Sequence, residues 1–460
     1  MSIEHLLNKR FGIRKLNEEQ RIIIDSILNN EDVLALMPTG SGKSITFQLP
    51  VVFTGGRALV ITPLIALMED QVMQLKMSKI NAVAIHGGLS RAELSIITHR
   101  IDSYQFIYCS PEWLQSELAE ALFSHIKFTH VVLDEAHCIS QWGFQFRPHY
   151  LLVNEVIDRH NAQVIALTAT ATKKIILDIE EIIGRSLKVH DFLKNKDNIY
   201  LYKYEVHEDD KLKFLQKVLR ESGPSIIYFS SKKVCDAIYQ ALSENFIVDR
   251  YHADMTYSER TEVQSRFMED EVQVICATSA FGMGINKKNI RTVIHYHIPA
   301  SILQFIQEIG RAGRDHHSCQ SILLYNNHDI AQASRLLELD AIDTVDLHNY
   351  ALQNIYDAEK KEKLDIFHRK YASNVIADKI KAHQYEQQQL LLKMLAYVHS
   401  INCLHHELSG MLKASSNNSD ESYGRNHCHK CKVTDLQRYE NITKSIQLEP
   451  VSLILERLFL

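Results

Sequence analysis

Apolar residues recur along the chain in short runs separated by amphipathic stretches. Val33–Met37, Ala58–Ile61, Gln105–Cys109, His130–Leu133 and Gln163–Leu167 are apolar runs of strand length. Between them, apolar residues fall at helical spacing. Strands apolar on both faces, alternating with helices, predict a parallel sheet covered on both sides. The rhythm returns at Ser225–Phe229, Val272–Cys276, Arg291–His297 and Cys319–Tyr325. The pattern therefore predicts an α/β protein with two sheet domains, joined by a polar stretch near Asp191–Asn198. After Ile330 the strand-like runs stop. Residues 330–408 are rich in Leu, Ala, Lys, Gln and Glu at helical spacing, and a Ser/Asn/Asp loop follows at Ser415–Tyr423. The expected division is a first domain over 1–190, a linker over 191–204, a second domain over 205–335, a helical subdomain over 336–435 and a tail over 436–460.

Composition narrows the picture. The 460 residues, 45% hydrophobic and 23% charged, are an ordinary globular balance with room for several cores. No apolar run approaches the roughly 18 residues of a membrane helix, and Met1–Arg10 holds no signal-peptide core. The expectation is an intracellular, cytoplasmic protein without a membrane partner. The net charge of −5 argues mildly against a surface coated for nucleic acid. Five of the eight cysteines (Cys109, Cys138, Cys235, Cys276 and Cys319) are scattered singly and read as reduced thiols. Cys428 and Cys431 form a C-x-x-C downstream of Cys403.

Three motifs carry chemistry. The segment Met37-Pro38-Thr39-Gly40-Ser41-Gly42-Lys43-Ser44 follows a strand and opens a helical pattern. Its glycines allow backbone N–H groups to curl round phosphate oxygens. Lys43 reaches the terminal phosphates and Ser44 ligates Mg²⁺. Thr39, Gly40, Ser41 and Gly42 complete the candidate phosphate cradle. Met37 stands where a strict P-loop has its first Gly. Second, the apolar strand at Val131 runs into Asp134-Glu135-Ala136-His137. Strand C-termini are where parallel sheets bind ligands. There Asp134 would hold Mg²⁺ and Glu135 would orient and deprotonate the attacking water. Third, Gln307-Glu308-Ile309-Gly310-Arg311-Ala312-Gly313-Arg314 places two arginines three apart, suited to neutralising charge on a transferring phosphoryl group.

Together these residues resemble a superfamily 2 helicase, specifically the RecQ family of DNA helicases. Thr62–Gln71 resembles that family's motif Ia, Ser110-Pro111-Glu112 motif Ib, Thr168–Thr172 motif III and Ala277–Asn286, with Gly282, motif V. Cys138–Pro148 resembles its aromatic-rich loop. The resemblance covers about residues 7–330 and implies two tandem RecA-like domains that take ATP and Mg²⁺ between them. It implies single-stranded and partly duplex DNA as partner, 3′→5′ translocation with strand separation, and work in DNA repair or recombination. Trp142, Phe144, Phe146 and Arg147 would meet DNA, because aromatic rings stack on bases without sequence preference. Gln20, beside Phe11-Gly12, would read the adenine edge.

Departures from the family pattern carry their own expectations. Phe144-Gln145 stands for His-Asp in the aromatic loop, and Leu16-Asn17 for Phe-Arg near the adenine. The second change removes a stacking guanidinium. The family's zinc subdomain uses four cysteines, here matched by Cys403, Cys428 and Cys431, with Arg425 at the remaining position. A Zn²⁺ site of these three with His427 is expected. The 29 residues after Cys431 are too few for a winged-helix domain of about 100 residues, so the expectation is a protein that does without it, finds a wedge elsewhere or borrows a protein partner. Two other functions fit the same motifs: a nucleotide-gated DNA-binding or remodelling ATPase with little unwinding, and an RNA helicase.

Overall fold

The computed structural model describes residues 2–412, apart from 39, 142–147, 171, 194–197, 283, 284, 286, 339–341 and 356. By internal packing the chain divides into two units. Residues 1–194 and 342–383 form one, and residues 195–341 and 384–460 the other, as far as these are described.

The first unit is built on a seven-stranded sheet. Its strands are β1 (Val33–Leu36), β2 (Ala58–Ile61), β3 (Ala82–Ile85), β4 (Phe106–Cys109), β5 (His130–Asp134), β6 (Gln163–Thr168) and β7 (Lys188–Asp191), in the order β3-β4-β2-β5-β6-β1-β7. Every pairing is parallel. The register sets Val33 beside Ile165 and Asp134 beside Leu167. The C-terminal ends of β5, β6 and β1 therefore lie side by side, and three sequence motifs emerge at one edge.

The second unit has a six-stranded sheet of β8 (Ile199–Glu205), β9 (Ser225–Tyr228), β10 (Val248–Tyr251), β11 (Val274–Ala277), β12 (Thr292–His295) and β13 (Cys319–Tyr325), in the order β10-β11-β9-β12-β13-β8. It too is parallel throughout.

The central strands are buried on both faces, which is why they read as unbroken apolar runs. On one side of the first sheet, Val33, Ala35, Met37, Val60, Val132, Ile165 and Leu167 pack with Phe47 and Val51 of the helix Lys43–Thr54. Met37, at the position a strict P-loop gives to Gly, is fully buried there. A smaller cluster of Leu6, Leu7, Leu16, Ile24, Ile45 and Leu49 ties the helices Ile3–Phe11 and Glu18–Leu28 to that helix.

Three edge strands, β7, β8 and β10, depart from the apolar-run pattern, whereas β3, the remaining edge, is the apolar run Ala82–Ile85. In β8 the sequence Ile-Tyr-Leu-Tyr-Lys-Tyr-Glu alternates in burial because one face meets solvent. Residues 199–205 thus belong to the second sheet rather than to a linker over 191–204. β7 extends the first sheet to Asp191.

The helical segment is shared between the units. The division falls within the 27-residue helix Ser373–His399, so the described residues of 342–383 group with the first unit and those of 384–412 with the second. On the first unit, Lys370 Nζ donates to the Leu151 carbonyl at 2.5 Å, and Lys379 pairs with Glu181 at 2.7 Å. On the second, buried Lys203 donates to the carbonyls of Tyr397, Val398 and Ser400 at 3.1, 2.7 and 2.5 Å. This cation sits on carbonyls at the helix's negative end. No described helix is long and apolar enough to cross a membrane.

Acid sensitivity follows from buried imidazoles. Burial holds His130, His137, His297 and His383 down to about 4, against roughly 6.5 in an unfolded chain. Their folded values are depressed, so their contribution is complete above pH 6.5 and is lost as pH falls toward 4. Each contributes roughly 1–2 kcal/mol of that loss by pH 5. Thermal midpoints measured from pH 7.5 to 5 should fall steadily below pH 6.5. A flat profile over that window would contradict neutral burial of these rings.

Candidate nucleotide site

The loop between β1 and the helix Lys43–Thr54 is shaped for an anion. Gly40 and Gly42 have φ of +83° and +79°, a region that favours glycine. Gly42 has a second constraint: a Cβ there would stand 2.7 Å from Gln20 Nε2. Gly42 occupies the N-cap with no side-chain hydrogen bond. Several other helices here are capped by a Ser, Thr or Asn side chain, as at Ser90, Thr172 and Ser301. The first N–H groups of Lys43–Thr54 thus have no side-chain cap, and the helix dipole favours negative charge at this end. Ser41 Oγ braces the loop by donating to the Pro38 carbonyl at 2.7 Å.

The second motif meets this loop directly. Lys43 Nζ lies 3.0 Å from Glu135 Oε1, with both side chains largely buried. Glu135 has φ of +53°, an uncommon backbone state for a non-glycine residue that concentrates at functional sites. Its other oxygen is 3.4 Å from His137 Nδ1, which also lies 2.8 Å from Thr168 Oγ1. Burial, reinforced by Lys43 and opposed by Glu135, lowers His137 to about 4. His137 is therefore neutral near pH 7 and acts as a hydrogen-bonding bridge between Glu135 and Thr168. Thr168 in turn donates to the Thr170 carbonyl at 2.9 Å.

Asp134 is buried beside this pair. Its Oδ1 accepts from the Glu135 backbone N–H at 3.0 Å and its Oδ2 from Gln71 Nε2 at 3.0 Å. Burial, then the charge of Glu135, push its carboxyl above the usual carboxylate range. Lys43, Gln71 and the Glu135 N–H oppose that rise. A buried carboxylate beside a second carboxylate offers the oxygen ligands that a hard divalent cation takes. Ser44, half-buried, follows Lys43 at the start of the same helix.

Gln20 holds the loop from the other side. Its Oε1 accepts from Asn17 N at 3.0 Å, and its Nε2 donates to the Ser41 and Gly42 carbonyls at 3.0 and 3.4 Å. Asn17 Oδ1 in turn accepts from the Gln20 backbone N–H at 2.7 Å, completing a capping box. The two departures near the adenine position thus have structural employment: Leu16 fills the N-terminal cluster and Asn17 caps a helix.

In the second unit, Arg311 Nη1 donates to the Gly282 carbonyl and Arg314 Nη1 to the Ile285 carbonyl. A Cβ on Gly282 would overlap the Arg311 guanidinium. Tyr228 O–H donates to the Phe281 carbonyl at 3.0 Å. Three donors therefore bond the carbonyls of Phe281, Gly282 and Ile285. Buried Glu308 accepts from His295 at 2.9 Å and Gln304 at 3.0 Å. Asn198 Nδ2 donates to the carbonyls of Gly313 and His317, at 2.8 and 2.9 Å, bracing the turn that carries Arg314.

Sequence reasoning did not single out Tyr228, Asn198, Gln71 or Tyr108. Each is a lone polar side chain in an element whose pattern marks it only as strand, linker or helix. Thr39, the aromatic-loop residues Trp142, Phe144, Phe146 and Arg147, and the zinc candidates His427, Cys428 and Cys431 lie outside the described residues. Cys403 is described and half-buried. Among the described residues no group of three or more His, Cys, Asp or Glu is placed to hold a metal.

Comparison with known proteins agrees with this geometry. Residues 17–178 match the DEAD/DEAH box helicase family and residues 210–316 the helicase conserved C-terminal domain. The chain is 36% identical over 348 residues to the probable ATP-dependent DNA helicase RecS of Bacillus subtilis, covering 74% of this chain and 70% of RecS. It is 37% identical to the ATP-dependent DNA helicase RecQ of Pasteurella multocida, covering 72% of this chain and 53% of that protein. The chain thus spans about half the length of that RecQ protein. Among solved structures, the DUF1998 helicase MrfA bound to DNA superposes with a TM-score of 0.60 at 19% identity, over 71% of this chain and 51% of that one. Dbp5 of S. cerevisiae, bound to RNA and ADP BeF3, does so at 0.61 and 18%, over 78% and 96%. These last two show the fold of tandem RecA-like domains. With the P-loop, the Asp134-Glu135 pair and the order of motifs, the RecS match places the chain in the RecQ family of ATP-dependent DNA helicases.

Proposed function

We propose that the chain hydrolyses ATP to move 3′→5′ along single-stranded DNA and separate strands, in DNA repair or recombination. The observation that carries this reading is the Lys43–Glu135 contact of 3.0 Å, which joins phosphate-binding and water-activating groups from the ends of β1 and β5, the two strands that flank β6. Gly40, Gly42 and the N–H groups at the start of Lys43–Thr54 cradle the phosphates, and Lys43 neutralises them. Ser44 and Asp134 hold Mg²⁺, which when bound neutralises charge on the phosphate oxygens. Glu135 orients and deprotonates the attacking water. Arg311 and Arg314 stabilise the charge that develops on the transferring group. Trp142, Phe144, Phe146 and Arg147 engage DNA by stacking and phosphate contact. Cys403, His427, Cys428 and Cys431 form a donor set chemically suited to zinc, and metal analysis of wild type against Cys431→Ser tests it.

A second reading, a nucleotide-gated DNA-binding or remodelling ATPase with little unwinding, is favoured by the net charge of −5. Duplex grip grows with the number of phosphates neutralised, so a protein partner would then supply it. Strand displacement on forked, 3′-tailed, 5′-tailed and blunt duplexes separates the two. Unwinding of 3′-tailed DNA supports the first. DNA-stimulated hydrolysis without displacement supports the second, and stimulation by RNA alone overturns both.

A further inference from the structure

A chain of buried polar side chains runs through the first unit and ends on Asp134. Gln48 Nε2 donates to Tyr108 O–H at 3.3 Å. Tyr108 donates to Gln71 Oε1 at 3.0 Å, and Gln71 Nε2 donates to Asp134 Oδ2 at 3.0 Å. All four side chains are buried, Tyr108 completely. They come from four separate elements: the helix Lys43–Thr54, strand β4, the helix Ile65–Met77 and strand β5.

The direction of the bonds matters. A primary amide has a donor end and an acceptor end, and left alone it can rotate to present either. Here the Tyr108 hydroxyl donates to the amide oxygen of Gln71, which fixes the NH₂ end toward Asp134. Tyr108 is itself oriented because its oxygen accepts from Gln48. Every donor in the series points toward the carboxylate, so the bonds polarise one another in the same sense. An apolar side chain of similar size at Gln71 would pack as well. It would leave one oxygen of a buried carboxylate without its donor.

We propose that Gln71, oriented by Tyr108, is a positioning residue that sets the Asp134 carboxylate for the divalent cation of the ATPase reaction. This rests on the ATPase reading above. Among the described residues neither side chain hydrogen-bonds to the nucleotide loop, so their effect runs through Asp134. Groups that orient metal ligands from one shell out typically change metal affinity about 10–100-fold when removed.

The test uses the full chain and a fluorescent ATP analogue, with binding followed as a function of Mg²⁺ and again in EDTA. Gln71→Leu should raise the Mg²⁺ concentration for half-maximal tight binding by about tenfold or more. Its binding in EDTA should match wild type. Tyr108→Phe, which keeps the ring and removes only the hydroxyl, should shift the same midpoint by a smaller factor. It should add nothing in the Gln71→Leu background, because the two act through one carboxylate. Thermal unfolding in EDTA is measured on each variant. Equal Mg²⁺ midpoints for wild type and Gln71→Leu overturn the inference. So does a loss of binding in EDTA matching the loss in Mg²⁺, since that marks a general packing defect. If Gln71→Leu does not fold, Tyr108→Phe alone decides by the same two criteria. If wild-type binding shows no Mg²⁺ dependence, the ATPase reading fails instead.

Discussion

Glu135→Gln is expected to keep nucleotide binding and to lower ATP hydrolysis by about 10²–10⁴-fold, the usual contribution of a positioned general base. The amide has the same shape and tolerates the same φ of +53°, so the strand end should keep its backbone. What disappears is the charge that lies 3.0 Å from Lys43 Nζ and the basicity needed to take a proton from water. Lys43 loses its internal counterion, so affinity for the triphosphate should be equal or higher. Lys43→Ala has the opposite signature. It removes the cation at the head of an uncapped helix and should weaken nucleotide binding as well as turnover. Steady-state kinetics with a direct binding measurement separate the two patterns. Hydrolysis by Glu135→Gln near the wild-type rate would remove Glu135 from the mechanism.

Arg314→Ala is expected to lower the turnover number by about 10³-fold or more, the scale at which an arginine stabilises a transferring phosphoryl group. Nucleotide binding should survive, because Lys43, Gly40 and Gly42 all belong to the first unit. Arg314→Lys should not restore the rate, since an ammonium cannot present the forked donors of a guanidinium. Arg311→Ala should show the same kinetic loss with an added loss of stability. Arg311 is buried on the Gly282 carbonyl, and truncating it opens a cavity and leaves that oxygen without its donor. Thermal unfolding of both variants beside their kinetics distinguishes the roles. Wild-type turnover in Arg314→Ala would show that this arginine serves only to hold the segment ending at Ile285.

The two sheets were legible in the sequence because burial on both faces leaves nothing for a strand such as Val131–Leu133 to be but apolar. Edge strands were not, since one face of Ile199–Glu205 meets solvent and its polar positions look like linker. The site was legible where chemistry constrains consecutive residues: the glycines before Lys43, the adjacent Asp134 and Glu135, and the spaced Arg311 and Arg314. It was not legible where function depends on side chains brought together across the sheet. Gln71 and Asp134 are far apart in the chain and meet only because β5 lies beside β2 and the helix Ile65–Met77 packs above. His137 and Thr168 meet because β5 lies beside β6. Gln20 illustrates a further limit. The family resemblance assigns it to the adenine edge; its bonds to the phosphate loop and to its own helix cap, which no sequence motif announces, appear only in the fold.

The most direct test of the central claim is ATP hydrolysis by the full chain with and without single-stranded DNA, in wild type and in Glu135→Gln. An ATP-driven DNA motor requires hydrolysis that rises sharply with DNA in the wild type and is lost in Glu135→Gln. Hydrolysis indifferent to DNA, or undiminished by the substitution, would contradict it.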